Sequence, residues 1–85
     1  MIINQILLNL LQIKNFYKME FEIKDEYIEL IKLLKATQIA ESGAMAKALV
    51  EEGEVLRNGE PETRKRAKIR KGEIIEALGQ IIKIK

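Results

Sequence analysis

The feature that most constrains the fold of this chain is the pair Asn58-Gly59, which follows a short apolar run. Both residues tolerate positive φ angles, and this pair is the sequence most typical of a two-residue β-hairpin turn. The sole proline, Pro61, comes just after it, where an edge strand accepts a residue without an N–H. Further turns are predicted at Gly72 and Gly79, each followed by isoleucine-rich segments. The last third of the chain is therefore predicted to form a small, mostly antiparallel sheet.

Residues 26–37 carry the spacing of a helix with one apolar face. Large apolar residues from Tyr27 to Leu34 recur at intervals of three and four, and Asp25 precedes them as a candidate N-cap. Ahead of this segment, apolar and charged residues alternate over 19–24, which predicts a short half-buried strand.

A second and shorter helix is predicted over about 44–52. Ser42 is its expected N-cap, and Gly53 is placed to end it. Together these elements predict an α+β fold, in which two helices pack on a small, mostly antiparallel sheet. Because 85 residues support one modest core, we expect a single domain over residues 19–85.

Residues 1–18 stand apart as an apolar opening segment. The aliphatic run is shorter than the roughly 20 residues that span a bilayer, and it lacks the features of a signal peptide. Apolar residues from Ile3 to Ile13 recur at helical spacing, so an amphipathic helical extension is predicted. Its apolar face could pack on the domain, self-associate with a second copy, or lie on a membrane surface, and its low positive charge disfavours the membrane. An equally open alternative is that Met19 is the natural start and that 1–18 is an upstream extension.

The chain contains no cysteine and no histidine. Disulfide scaffolds, thiol catalysis, zinc fingers and serine–histidine triads are thereby excluded, as is the usual general base near neutral pH. A chain of this size also has little room for a deep catalytic cavity. We therefore expect a non-catalytic protein with no metal and no cofactor. We also expect it to be cytoplasmic, with no membrane partner.

Charge is distributed very unevenly along the chain. Residues 57–71 hold seven basic and two acidic side chains, a net charge of +5, whereas residues 19–56 carry a net charge of −5. Such a density of positive charge on a hairpin and its following turn creates a positive electrostatic potential that suits a polyanion. The alternative, which any basic run allows, is a solvated surface without a partner.

Several short motifs occur together with the spacing of one known family. They are Leu33-Leu34-Lys35, Ser42-Gly43, Ala46-Lys47, Gly53-Glu54-Val55, Asn58-Gly59-Glu60 and Lys71-Gly72-Glu73. In this combination, residues 27–78 resemble the S-four (S4) RNA-binding domain, whose two helices form the alpha-L motif. The whole of 19–85 is similar to the short free-standing bacterial members. The resemblance implies a ribosome-associated protein that binds structured RNA, either ribosomal or transfer RNA.

The resemblance also implies which residues contact RNA, because family members use the face formed by the two helices and the Asn-Gly hairpin. Carried over onto this sequence, the candidate RNA-binding residues are Lys35, Ser42, Gly43, Lys47, Arg57, Asn58, Arg64, Lys65, Arg66 and Lys68. The chain departs from the family pattern at Ala44, since many members have arginine directly after the turn serine. It also carries Asp25, Glu26 and Glu29 where many members have a basic residue.

Three other classes of function remain open to the sequence. The first is a protein-interaction adaptor whose basic hairpin docks an acidic partner. A DNA-binding helix-turn-helix would need an exposed polar recognition helix, whereas the second helix here is short, apolar and acidic at its end. An enzyme would need carboxylates held together in a pocket, and no motif indicates one.

Aromatic residues are few, and they bear on the mode of RNA recognition. Tyr17, Phe21 and Tyr27 fall at core-like positions of the predicted elements, so we do not expect them to stack on bases. Recognition of the backbone and shape of folded RNA is the mode that the sequence favours.

Overall fold

A computed structural model of the chain describes residues 17–85. The elements in chain order are β1 (Tyr17–Phe21), β2 (Tyr27–Glu29), α1 (Leu30–Ala36), α2 (Gly43–Glu51), β3 (Val55–Arg57), β4 (Glu60–Pro61), β5 (Lys68–Arg70), β6 (Ile74–Ala77) and β7 (Gln80–Ile84). Residues 1–16 of the predicted amphipathic extension lie outside the described residues. The last two residues of that extension, Tyr17 and Lys18, open strand β1.

The strands form one sheet of five strands and a separate ribbon of two. The order in the larger sheet is β1-β7-β6-β3-β4, with β1 parallel to β7 and every other neighbouring pair antiparallel. The ribbon pairs β2 with β5, also antiparallel. Within residues 17–85 the predicted α+β architecture, two helices with a mostly antiparallel sheet, is confirmed.

The first hairpin is the one that the sequence indicates. Asn58 and Gly59 have φ angles of 51° and 87°, the positive values that a type I′ turn requires. Pro61 lies in β4, at the edge of the sheet. A second turn of the same kind joins β6 to β7 through Leu78 and Gly79, so a leucine occupies a left-handed conformation at φ 50°.

The first helix is shorter than predicted. The expected helix over 26–37 is wrong at its start, because Tyr27–Glu29 is a strand that pairs with β5. Helix α1 begins only at Leu30, and Asp25 is not its N-cap. Its first N–H groups donate to carbonyl oxygens of the chain that leads into β5, from Leu30 to Ala67 at 2.9 Å and from Ile31 to Lys65 at 3.1 Å. These long-range hydrogen bonds outweigh the local helical spacing.

The second helix follows its capping residues closely. The Ser42 hydroxyl accepts a hydrogen bond from the Met45 N–H at 3.1 Å, as an N-cap should. Gly53, with φ 76°, takes the left-handed conformation just after the helix ends.

In the part of the chain that the structure describes, one hydrophobic core joins the helices to the sheets. The largest fully buried side chains are Leu30, Leu33, Leu34, Val50, Val55, Ile69, Ile75, Ile82 and Ile84. Ile69 of β5 belongs to this set, so its neighbours Lys68 and Arg70 must point outward, since side chains alternate along a strand. This alternation places two basic residues on one outer surface.

Candidate nucleic-acid interface

Basic side chains from β3, β5 and the segment between β4 and β5 converge on a shallow groove of about 420 Å³. Its lining residues, which we call the basic groove, are Arg57, Arg64, Arg66, Ala67, Lys68 and Arg70. Five of these six residues are cationic, and all five except Arg57 are exposed. The arrangement concentrates positive potential where a polyanion can reach it.

The backbone around the groove is held in place by the helix beneath it. The carbonyl groups of Lys65 and Ala67 accept hydrogen bonds from the first N–H groups of α1, and the Ala67 N–H donates to the carbonyl of Arg64 at 3.0 Å. Two of the free donors that the start of α1 presents are thus satisfied by the basic segment itself. The segment that carries Arg64 and Arg66 is therefore an anchored turn on the surface of the domain.

Arg57 lies at the base of the groove and is bound within the protein. Its Nε and Nη2 donate to the Glu73 carboxylate at 2.7 and 2.9 Å, and its Nη1 donates to Glu62 at 3.0 Å. Nη2 also donates to the carbonyl oxygen of Lys68 at 2.8 Å. The hydrogen bond to Glu73 is the main cause that raises the pKa of Arg57. Arg57 was predicted to contact RNA. In the structure its guanidinium instead forms hydrogen bonds that connect β3 to β5 and to the turn before β6.

Glu62 is the buried carboxylate of this network and is only 8% exposed. It accepts hydrogen bonds from Arg57, from the side chain of Arg64 at 3.1 and 3.0 Å, and from the Arg64 N–H at 3.1 Å. The hydrogen bond from the Arg64 side chain contributes most to lowering the pKa of Glu62 to about 2, against the opposing effect of burial. Glu62 is therefore negatively charged at neutral pH beneath the basic groove.

Glu73 completes the network from the turn before β6. Partial burial raises its pKa, but hydrogen bonds from Arg57 and from the Arg70 N–H outweigh burial, so the pKa of Glu73 is lowered. Asn58 joins it from the hairpin turn, donating to Glu73 at 3.3 Å and accepting from the Ile74 N–H at 2.9 Å. Asn58, another predicted RNA contact, is thus a turn residue whose side chain bonds to the neighbouring strand.

Four cations on the groove extend to solvent above this network. Arg64 pairs with Glu62, but 74% of its side chain is exposed. Arg66, Lys68 and Arg70 are exposed as well. Arg66, Lys68 and Arg70 are available to an anionic ligand without disturbing the network of Arg57, Glu62 and Glu73. Arg64 reaches a ligand only while sharing its guanidinium with Glu62.

The structure brings together only some of the predicted site residues. Arg57, Arg64, Arg66 and Lys68 line one groove, whereas Lys65 is exposed beside it. The helix residues Lys35, Ser42, Gly43 and Lys47 do not line the basic groove. Lys35 lies in the last turn of α1, at the opposite end of the helix from the basic segment. Ser42, Gly43 and Lys47 remain predicted contacts at the start and on the exposed surface of α2.

Two residues of this surface were missed by the sequence analysis. Arg70 lines the groove but was not among the candidates, although its alternation with buried Ile69 was available as a signal. Tyr27 was assigned to a core and is instead 37% exposed, with Lys68 Nζ at 5.0 Å and Arg70 Cζ at 5.7 Å from its ring centroid. The error follows from the helix wrongly predicted to include it.

Two further observations concern residues 17–85 as a whole. No helix in this range is long and apolar enough to cross a bilayer. Within the same range, no group of three or more His, Cys, Asp or Glu side chains is arranged so that it could bind a metal ion. What the described chain presents instead is an anchored surface rich in arginine and lysine.

The fold and groove define a small two-helix domain with a basic surface, and comparison with known proteins places it. The family model described as S4 domain matches residues 21–85. The chain belongs to the S4 domain family, which confirms the resemblance carried by its motifs.

Individual relatives agree with this assignment. The chain is 41% identical over 61 residues to the Escherichia coli K12 protein named "Putative RNA-binding protein YbcJ", an alignment covering 72% of this chain and 87% of that protein. It is 40% identical over 57 residues to the Bacillus subtilis protein named "Probable ribosome maturation protein RlbA", covering 67% and 80%. The solution structure of YbcJ from E. coli superposes with a TM-score of 0.59 at 36% identity, covering 81% of this chain and 86% of that one. That structure is described as revealing an alfaL motif involved in RNA-binding.

Proposed function

We propose that this chain binds structured RNA through the basic groove and catalyses no reaction on it. The observation that carries the proposal is the convergence of four exposed cations, Arg64, Arg66, Lys68 and Arg70, on a groove whose backbone is anchored. Phosphate groups are the natural ligands of such side chains, which position a nucleic acid without reading its sequence. The relatives described as RNA-binding support RNA as the polyanion.

The ion-pair network beneath the groove gives it a defined shape. Arg57, Glu62 and Glu73 fix the positions of β3 and β5 by charge-assisted hydrogen bonds, so the exposed cations project from a rigid base. A rigid array of cations suits a target that is itself folded, because phosphates of structured RNA occupy fixed positions. Recognition of shape and backbone follows from this pairing of two preformed surfaces.

Ribosomal RNA is the target class that we favour, with transfer RNA as the second candidate. Support comes from the Bacillus subtilis relative named as a ribosome maturation protein. On this proposal the protein acts in the cytoplasm. Lys35, Ser42, Gly43 and Lys47 on the two helices would supply a second set of contacts, distinct from the groove.

The salt dependence of binding tests this electrostatic mechanism. Four phosphate contacts predict that log K falls linearly with log salt with a slope of roughly −3 to −4, because each neutralised phosphate releases counterions. The measurement is a titration of the full chain onto a folded fragment of ribosomal RNA between about 0.05 and 0.3 M salt. A flat response would contradict the mechanism. Crosslinking in cells that recovers no RNA above background would instead favour the adaptor with an acidic protein partner.

A further inference from the structure

Tyr27 lies between two depressions, one strongly basic and one lined by two carboxylates and a lysine. The two cations beside its ring, Lys68 and Arg70, line the basic groove. The tyrosine itself lines a second hollow of about 450 Å³. The residues around this hollow are Asp25, Tyr27, Ile28, Glu29 and Lys32.

Strand pairing places the ring there. In the β2–β5 ribbon Tyr27 is directly opposite Arg70. It lies two positions before Glu29, which is the partner of Lys68. Both cations therefore lie on the same outer surface as the ring. Their distances of 5.0 and 5.7 Å from its centroid are those of cation–π contacts, which hold the ring in one orientation. The residue as a whole is 37% exposed, so part of its surface is accessible to a ligand.

The charges on either side of the ring orient a nucleotide. A phosphate is attracted to Lys68 and Arg70 and is repelled by the carboxylate of Asp25 in the hollow. The charge of Glu29 is partly offset, because Glu29 lies opposite Lys68 in the ribbon and 3.8 Å from Lys32 Nζ. The base of the same nucleotide is planar and apolar on its faces, and it carries N–H donors at its edge. It is therefore directed over the ring towards the hollow, where carboxylates can accept those hydrogen bonds.

We propose that Tyr27 is a stacking platform for one unpaired nucleobase, whose phosphate is held by Lys68 and Arg70. The inference rests on the proposed RNA-binding function and deepens it, because it adds an unpaired nucleotide to what the basic groove recognises. It also departs from the expectation that aromatic residues play no part in binding. Stacking on an aromatic side chain contributes roughly 5- to 100-fold in affinity and tolerates different bases.

The test uses two RNA hairpins with identical stems. One carries a three-nucleotide bulge, and the other carries the same bulge with abasic sugars, so that the phosphates are equal and only the bases differ. The full chain and its variants Tyr27→Phe and Tyr27→Leu are compared by fluorescence anisotropy. The wild type and Tyr27→Phe should bind the first RNA roughly 5- to 100-fold more tightly than the abasic RNA. Tyr27→Leu should bind both RNAs with the weaker affinity.

A spectroscopic readout complements the affinities. The chain has no tryptophan, so Tyr27→Trp introduces a single tryptophan at the site, whose emission can be excited selectively over that of the remaining tyrosine. The tryptophan emission should be quenched by the RNA that carries bases and much less by the abasic RNA. Circular dichroism melting of Tyr27→Leu and Tyr27→Phe establishes that both variants remain folded.

The possible failures are distinguishable. If the wild type binds neither RNA, the proposed function itself is wrong. If it binds both RNAs equally, with Tyr27→Leu unchanged and no difference in quenching, RNA binding stands and the stacking platform is refuted. An equal loss of affinity for both RNAs in Tyr27→Leu would assign Tyr27 to the shape of the groove and would also overturn the inference.

Discussion

Replacing Glu62 by glutamine removes the negative charge beneath the basic groove and should destabilise the protein in a pH-dependent way. Glu62 is 8% exposed, and its pKa falls from 4.5 to about 2 in the folded protein. One pKa unit corresponds to about 1.4 kcal/mol, so the ionised form of Glu62 contributes up to about 3 kcal/mol to folding. The amide oxygen of the introduced glutamine side chain still accepts a hydrogen bond, which reduces the expected loss in Glu62→Gln to about 2–3 kcal/mol.

The sign of the pH dependence follows from the lowered pKa. The unfolded chain takes up the proton at higher pH than the folded protein, so the contribution of Glu62 is complete above about pH 5 and disappears as pH falls towards about 2. The wild type should therefore exceed Glu62→Gln by about 2–3 kcal/mol at pH 7, and the two should converge near pH 2. Glu73 also has a lowered pKa and loses stability in acid in both proteins. Because Glu62 and Glu73 share the guanidinium of Arg57, the contribution of Glu73 is coupled to that of Glu62, and the difference between the two proteins measures the network around Arg57.

Urea denaturation followed by far-UV circular dichroism at several pH values between 7 and 2 measures this difference. A domain of 85 residues is expected to have a free energy of unfolding on the order of 4–13 kcal/mol, so the variant should still fold at neutral pH. Glu60→Gln, an exposed carboxylate on the same hairpin, is the matched control and should change stability by less than about 0.5 kcal/mol. A difference between wild type and Glu62→Gln that stays constant with pH would refute the role assigned to its charge.

Three further variants test other parts of the account. Ser42→Ala should cost about 1 kcal/mol in thermal or urea unfolding because it removes the N-cap of α2, and Ser42→Asp should restore most of it; no loss in Ser42→Ala would contradict the capping role. Leu78→Gly should raise the free energy of unfolding by about 1 kcal/mol, since Leu78 is 51% exposed and sits at a positive φ; destabilisation would show that its side chain packs usefully. Deleting residues 1–16 should lower either the mass measured by light scattering or the solubility and stability of the chain, because the apolar face that the sequence predicts there needs a covering surface; unchanged values would show that the segment is dispensable.

Local signals were sufficient for the turns and for α2. The Asn58-Gly59 hairpin and the helix bounded by Ser42 and Gly53 depend on residues within a few positions of one another, and both are confirmed. The ends of such elements are specified by φ preferences and by side-chain caps, which are visible in a single sequence.

The start of α1 was not predictable in this way. Tyr27–Glu29 becomes a strand only because Lys68–Arg70, much later in the chain, offers a partner with the correct register. The parallel pairing of β1 with β7 has the same non-local origin. Propensity and periodicity do not contain these contacts, so the helical spacing around Tyr27 was misleading and its exposure was missed.

The positive charge of the candidate site was predictable from the sequence, but the roles of its individual residues were predictable only in part. The excess of arginine and lysine over 57–71 located the basic groove, and the alternation around Ile69 could have added Arg70. The ion pairs of Arg57 with Glu62 and Glu73 form only because the fold brings together segments that are separate in the sequence. A basic run does not reveal which of its cations are neutralised within the fold.

The most direct test of the central claim compares two variants that each remove one positive charge, one on the basic groove and one outside it. Arg66 is exposed on the basic groove, whereas Lys83 is exposed on β7 and does not line it. If the groove is the binding site, Arg66→Ala should weaken binding of folded ribosomal RNA roughly five- to eightfold near 0.1 M salt and make the salt slope shallower by about one unit. Lys83→Ala should change the affinity by less than about twofold. Equal losses from the two variants would mean that net charge holds the RNA, and the basic groove would no longer be a site.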